Sequence, residues 1–365
     1  PPTIRFITQQ PVTTQHSTNT PTSVTTSPPI PSPIAFPTDT PTGRPSLGSA
    51  FSPAQEDFLG LLQSNASSEE YLKPFYNFDP SNSSSSSPQW QAMEWLTADP
   101  NYDTYRDERK IQRYALAVFG YGLESLPDDE TWLNYNIHEC DWFTTAASGS
   151  SCSSSKSNNN NLRQGETGDL MHRLELDNLG LVGTLPVELG LLSNTLTQIY
   201  LRNNSLSGTL PSIWGKDFQR LQRIQLTNAK LEGTLPPEWG QMRSLAVLGL
   251  GRNHLNGSLP EDWARNGGMR SLGTLGLESN ELTGTIPTDW GNGGIPSLTR
   301  LYLNKNLLTG QVPDSLWSPN AWQEVNLAAN DLTGAISDST CAISTMTTLV
   351  ADCNSGDVIC TCCTA

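Results

Sequence analysis

The residues able to move protons, attack carbonyls or bind metals are scattered along the 365-residue chain. Its four histidines are His16, His138, His172 and His254. None stands at the short His/Cys spacing of a zinc site, and none belongs to a recognisable nucleophile and base arrangement. A glycosidase needs two carboxylates facing each other across a cleft, whereas Glu175 and Asp177 lie far along the chain from Glu278. Asp99, Asn101, Asp103 and Asp107 fall at four ligand positions of a calcium loop, but Thr104 stands where glycine is required and Lys110 where the bidentate Glu is required. That stretch reads as a polar loop ahead of a helix. No catalytic residue, metal or cofactor is therefore expected, and the chain is not expected to be an enzyme.

The seven cysteines form two groups, Cys140 with Cys152, and Cys341, Cys353, Cys360, Cys362 and Cys363. Sequons for N-glycosylation occur at Asn65, Asn82, Asn203 and Asn256. Clustered cysteines with sequons predict a secreted or cell-surface glycoprotein whose ends are stapled by disulfides. The chain opens at Pro1 with no charged, apolar and small-residue leader, as a processed product would. A net charge of −15 disfavours nucleic acid and anionic membrane surfaces as partners. No apolar run approaches the ~18 residues of a membrane span.

Among residues 1–50, 11 are Pro, 12 Thr and 6 Ser, a composition that cannot build a core. Residues 1–52 are accordingly expected to be an extended, O-glycosylated tail. Two short alternations, Thr3-Ile4-Arg5-Phe6-Ile7-Thr8 and Pro31-Ser32-Pro33-Ile34-Ala35-Phe36, offer apolar anchors that could add to a sheet edge. Composition then changes. Ser52-Pro53 ahead of Phe58, Leu61 and Leu62, Ser87-Pro88 ahead of Trp90 and Met93, and the run Ile111, Tyr114, Ala115, Val118 and Phe119 predict three amphipathic helices. Residues 53–161 thus read as a helical N-terminal cap domain.

The pattern LxxLxLxxNxLxGxIP recurs seven times from Met171, Leu196, Leu221, Leu245, Leu272, Leu298 and Trp322, at spacings of 24 to 27 residues. This period is that of leucine-rich repeats and predicts an α/β solenoid over 162–340, closed by a Cys-rich cap over 341–365. Each LxL makes a short strand with both apolar side chains inside. Asn204, Asn253, Asn280, Asn306 and Asn330 should point inward and satisfy backbone groups, with Leu179 and Ala229 interrupting their row. Trp214, Trp239, Trp263, Trp290 and Trp317 recur three residues beyond the turn Pro and are expected to fill the convex layer. Ile336-Ser337 replaces the apolar-Pro pair, so the array should end there.

The LxGxIP extension and the Asn row resemble plant-type leucine-rich repeats of receptor-like ectodomains. Glu139-Cys140-Asp141-Trp142-Phe143 followed by Cys152 is similar to the Cys-x-Trp…Cys staple that precedes the first repeat in that family. Secreted leucine-rich-repeat proteins of diatoms and other stramenopiles are more similar still. That resemblance covers roughly 53–365 and rests on Pro88-Gln89-x-x-Ala92-x-x-Trp95-Leu96, on Gln112-Arg113-Tyr114-Ala115-Leu116, and on Asp352-Cys353 with Cys360-Thr361-Cys362-Cys363-Thr364. It implies a further cysteine beyond this ending; the odd cysteine is otherwise free for an intermolecular disulfide.

Function in a solenoid usually sits on the concave sheet. Its outward positions in the fourth and fifth repeats are small, Gly249, Gly251 and Gly276 beside Val247 and Thr274, with Tyr200, Arg223, Arg300 and Tyr302 around them. This predicts a flat floor on which a protein backbone or a sugar ring could lie between tyrosine walls. The expected function is a non-enzymatic binding and assembly scaffold, self-associating into a cell-surface or matrix filament through its tail. The alternative is a receptor-like ectodomain recognising a peptide or glycan. Regular threonines at Thr184, Thr209, Thr234 and Thr285 raise ice or mineral binding as a weaker third class.

Overall fold

The computed structural model describes residues 51–76, 87–125, 131–142, 151–152, 170–291, 293–317, 321–352 and 358–360. Residues 1–50 of the tail, Asn82, Cys353, Cys362 and Cys363 lie outside them, as do the side chains of Cys152, Cys341 and Cys360.

Helix α1 (Pro53–Asn65) opens on a capping box: Ser52 Oγ accepts from Gln55 N, and the Gln55 side chain accepts from Ser52 N. A single turn, α2 (Lys73–Tyr76), follows, and α3 (Pro88–Thr97) starts at Ser87, whose Oγ accepts from Trp90 N. Helix α4 (Asp107–Tyr121) is buried without interruption from Lys110 to Gly120, not along one stripe. It packs on α1, on α3 and on the 3-10 turn Val187–Leu192 of the first coil, so little of it is left to solvent.

Being surrounded, α4 must pair its polar side chains internally. Glu139, with no exposed surface, accepts from Arg113 Nη1 at 2.9 Å, Arg109 Nη2 at 3.1 Å and Gln112 Nε2 at 3.0 Å. Burial alone would raise Glu139, but His138, Arg109 and Arg113 outweigh it and hold the carboxyl below its usual range. Gln112 Oε1 then accepts from Met171 N at 2.6 Å, so one side chain links the Cys140 segment to the first strand of the solenoid. Cys140 is disulfide-bonded. Asp99, the first position of the rejected calcium template, is buried against Arg113 at 3.3 Å and Tyr105 Oη at 2.8 Å.

The solenoid carries one nine-stranded sheet on one face and, on the other, a three-stranded and a six-stranded sheet joined by a single bridge between Thr209 and Glu232. The LxL strands are β3 (Met171–Glu175), β5 (Gln198–Tyr200), β7 (Arg223–Gln225), β9 (Val247–Gly249), β11 (Thr274–Gly276), β13 (Arg300–Tyr302) and β15 (Glu324–Asn326). With β2 (Ser151–Cys152) at one end and β17 (Thr348–Val350) at the other they form a nine-stranded sheet. Register is kept position for position, Leu248 beside Leu275 and Leu275 beside Leu301. The LxGxIP segments, read above only as turns, form strands of their own: β4 (Val182–Thr184), β6 (Ser205–Ser207), β8 (Glu232–Thr234), β10 (His254–Ser258), β12 (Glu281–Gly284), β14 (Leu307–Gln311) and β16 (Asp331–Ile336). Glycines such as Gly257, at φ +76°, let each of these strands twist where an L side chain would be strained.

The ends differ. Two cap strands, β1 (Leu123–Ser125) and β2, run antiparallel to β4 and β3 and so cover the first edge of both sheets. At the other end the array does not stop at Ile336. β17 and β18 (Val358–Cys360) add an eighth coil in parallel register, and Asp352 accepts from Ala329 N and Asn330 N, the backbone at the Asn position of the coil before.

Inside, Asn253 donates to the carbonyls of Leu226, Leu250 and Gly251 and accepts from Ala229 N and Leu231 N. Asn204 bonds in the same manner, and Asn280, Asn306 and Asn330 each join their own coil to the one before. On the opposite wall, Trp239, Trp263 and Trp290 donate Nε1 to Pro211, Pro236 and Pro260 carbonyls of the preceding coil at 2.9 to 3.1 Å. From Trp239 to Trp290 the tryptophan row is thus a hydrogen-bond ladder as well as packing, whereas Trp317 at its end is half-buried with Nε1 unbonded.

Two stability predictions follow from these buried groups. Asn253→Ala strands five backbone partners, and since an orphaned buried group costs about 1–3 kcal/mol, denaturant unfolding should show a loss of at least about 3 kcal/mol. Glu188, beneath α4 and almost without exposed surface, accepts from Gln89 at 3.0 Å but leaves Oε2 without a partner, as is the Tyr114 hydroxyl. Burial pushes Glu188 up. A raised folded value stabilises below the ordinary carboxylate range and is lost as pH climbs through it. Glu188→Gln should therefore raise the melting temperature at pH 7 and flatten its decline from pH 4 upward, read by calorimetry.

Candidate functional site

The outward face of the nine-stranded sheet collects the expected site residues in three regions. Toward the cap, Tyr200 is half-buried, its ring under the guanidinium of Arg173 at 4.5 Å and that of Arg202 at 5.6 Å. Arg173 pairs with Glu175, and Arg202 with Asp177 at 2.6 Å. Arg223 is exposed on β7. At the far side, Tyr302 Oη donates to Glu324 Oε2 at 2.5 Å, and Arg300 Nε lies 3.5 Å from Glu324 Oε1. Burial, the bond to Glu324 and the charge of that carboxylate push the Tyr302 hydroxyl well above its ordinary range.

Between them the expected open floor is different. Val247 and Thr274 are half-exposed, but Gly249, Gly251 and Gly276 are buried. Gln225 Oε1 lies where a Cβ on Gly249 would be, and the Glu278 carboxylate fills the corresponding space over Gly251. Glu278 Oε2 also lies 3.1 Å from a Cβ position on Gly276. The glycines are therefore seats for two longer side chains. Glu278 Oε2 is shielded from solvent and has no hydrogen-bond partner, and burial raises this carboxyl although a backbone hydrogen bond within Glu278 and the charge of Arg252 draw it down. Gln225 and Glu278 escaped the sequence reading because each belongs to the coil beside the glycine it covers; the signal was a long polar residue in the same column as a glycine.

Asn203 is exposed at φ +55°, donates to Asn178 Oδ1 at 2.9 Å and accepts from Asn228 Nδ2 at 3.0 Å, a row along the rim of this face. Asn65 is exposed at the end of α1, and Asn256 is exposed on β10 in the second sheet, away from the first. Among the described residues no group of three or more His, Cys, Asp and Glu could hold a metal, and no helix is long and apolar enough to cross a membrane.

A family model described as Leucine Rich Repeat matches residues 195–216 and 297–319. The chain carries leucine-rich repeats. No curated protein sequence matches it. Among solved structures it is similar to PEPR1-AtPEP1, with 26% identity and a TM-score of 0.55 over 67% of this chain and 31% of that one. It also resembles the Arabidopsis receptor kinase HAESA ectodomain in complex with an N-terminally extended IDA peptide hormone ligand, with 26% identity and a TM-score of 0.44 over 48% of this chain and 32% of that one. A plant ice-binding protein aligns over 68% of this chain and 65% of its own, at 23% identity and a TM-score of 0.47. The matched region spans less than a third of the PEPR1 and HAESA chains.

The seats predict opposite outcomes for two glycine substitutions. At Gly251 the added methyl meets only the mobile end of Glu278, so Gly251→Ala should displace that carboxylate and change stability by less than about 1 kcal/mol. At Gly240 it meets the backbone oxygen of Asp262 at 2.6 Å, so Gly240→Ala should cost about 1–3 kcal/mol as an overpacked site. Parallel denaturant titrations of the two variants check this.

Proposed function

We propose that this protein is a non-enzymatic extracellular glycoprotein that acts as a leucine-rich-repeat binding and assembly scaffold, with the nine-stranded face receiving an extended protein segment. The observation that carries this reading is the closure of the sheet edges at the cap end, where β1 and β2 pair with β4 and β3. Covered edges disfavour end-to-end pairing of solenoids there, and the broad face is left as the surface for contact. Residues 1–52 lack a core of their own and contain two apolar alternations, which suits them to lie extended on another copy. A tail from one molecule on the face of the next is a heterologous contact that repeats into a filament.

In this reading Tyr200, Arg223, Val247, Thr274, Arg300 and Tyr302 contact the incoming segment, while Gly249, Gly251 and Gly276 set the depth of the floor. Disulfides among Cys140, Cys152, Cys341, Cys353, Cys360, Cys362 and Cys363 protect the ends outside the cell. Glycans at Asn65 and Asn256 leave the face open, one at Asn203 would narrow it from the cap side, and Asn82 is a fourth glycan site in this reading. The second reading, a receptor-like ectodomain that takes a peptide or glycan on the same face, is supported by the likeness in fold to PEPR1-AtPEP1.

Sedimentation of the full chain and of a chain lacking residues 1–50 separates them. The deletion keeps Phe51, whose ring lies 5.6 Å from that of Trp90, and the Ser52 cap of α1. Assembly of the full chain and a folded monomer after deletion are expected. Assembly that persists without the tail would sink the scaffold reading, and a monomeric full chain would favour the receptor.

A further inference from the structure

We infer that Glu278 is the anchor point of the nine-stranded face and that it receives the guanidinium of Arg5 from the tail of a second copy. This rests on the assembly reading above and names the contact within it. Glu175 is paired with Arg173, Asp177 with Arg202, and Glu324 with Tyr302 and Arg300. Glu278 differs: its Oε2 is shielded from water without a hydrogen bond, and its hydrogen bond with Arg252 is a backbone one, Arg252 N donating to Glu278 O at 2.7 Å. A charged oxygen in that state loses hydration, which a backbone hydrogen bond within Glu278 and the charge of Arg252 offset only in part, and a bound cation would make up the remainder.

The surroundings favour an arginine. Glu278 lies over Gly251 and Gly276, and the Gln225 carboxamide lies over Gly249, so two acceptors flank one low stretch of floor. A guanidinium presents five donors in a planar fork and can serve a carboxylate and an amide oxygen together, which an ammonium does less well. Val247 and Tyr302 stand half-exposed beside this stretch and suit apolar neighbours of that arginine.

Charge points to the tail as the source. Residues 1–52 hold Arg5 and Arg44 against Asp39, net +1, so the remaining chain carries −15 − 1 = −16. Of the two arginines, Arg5 is the one set among Ile4, Phe6 and Ile7, whereas Arg44 stands between Gly43 and Pro45. The tail's own copy provides the same chemistry, but a heterologous contact extends an assembly whereas self-contact closes it.

A synthetic peptide of residues 1–12, in wild-type and Arg5→Ala forms, titrated against the full-length chain and its Glu278→Gln and Gly251→Ala variants, tests this. Glu278→Gln should weaken wild-type peptide binding at least about tenfold and abolish the difference between the two peptides, the signature of a direct pair in a double-mutant cycle. Because Glu278 Oε2 has no hydrogen bond in the free chain, the variant should melt no lower than wild type; Gly251→Ala, which displaces the carboxylate, should lose binding similarly. Equal affinity of Glu278→Gln and wild type, or of the two peptides, would overturn the contact while leaving tail-dependent assembly intact. No binding of the wild-type peptide to the wild-type chain would overturn contact and assembly reading together.

Discussion

The structure depends on a backbone that turns out of one sheet and into another within a few residues in every coil. A turn of that kind points amides and carbonyls inward, where water cannot reach them, and each left unpaired costs more than a single contact returns. A buried asparagine amide solves this because it carries two donors and an accepting oxygen on one short side chain. Asn253 uses all of them, tying its own coil to the one before. Where Leu179 and Ala229 interrupt the row, the next asparagine takes over: Asn204 and Asn253 accept from the backbone amides of those very residues. At the far end Asp352 does the accepting half of the task with a carboxylate.

A stack of coils held by neighbour contacts has two vulnerable ends, and the N-terminal one is closed by polar means as well as apolar. Glu139 gathers Arg109, Gln112 and Arg113, and Gln112 passes the connection to Met171 N. On the outer side of the joint, Asp217 of the second coil accepts from Ser67 and Tyr71. Glu188 is the weak member, because it was buried with one bond too few. The cap is thus not merely set on the solenoid; α4 is roofed by the first coil and becomes part of its core.

Much of this was legible in the sequence, and the reason is periodicity. Leucines at a fixed interval, asparagines at one position and Ser-Pro pairs ahead of apolar runs each have a local cause, so they can be read without knowing what lies across the molecule. The second sheet was not legible, because Glu232-Gly233-Thr234 or Glu281-Leu282-Thr283 has no strand signature of its own; these segments are extended because a neighbouring coil supplies hydrogen bonds in register. The eighth coil hid behind the loss of the Pro and of Asn. The open floor expected from the glycines is absent for a related reason: a glycine in a strand predicts space, but a parallel sheet places a neighbouring coil's side chain close enough to occupy it.

Exact register also determines how such a protein can be specific. A side chain on either face is repeated by the same position one strand away, so a surface is written in columns, and a uniform column carries no information about where along the solenoid a partner should sit. Position is encoded where columns break. On the first face they break at β9 and β11, where Gly249 and Gly276 interrupt a column that has Tyr200 and Gln225 before it and Tyr302 after it. The columns beside it break at the same coils, Val247 and Thr274 standing between arginines and Gly251 beside Glu278. Three adjacent columns changing together over two coils give a bounded patch. A long segment crossing many coils could slide along the rest of the face at little cost, but at this patch only one register would bring an arginine to the Glu278 oxygen that lacks a hydrogen bond.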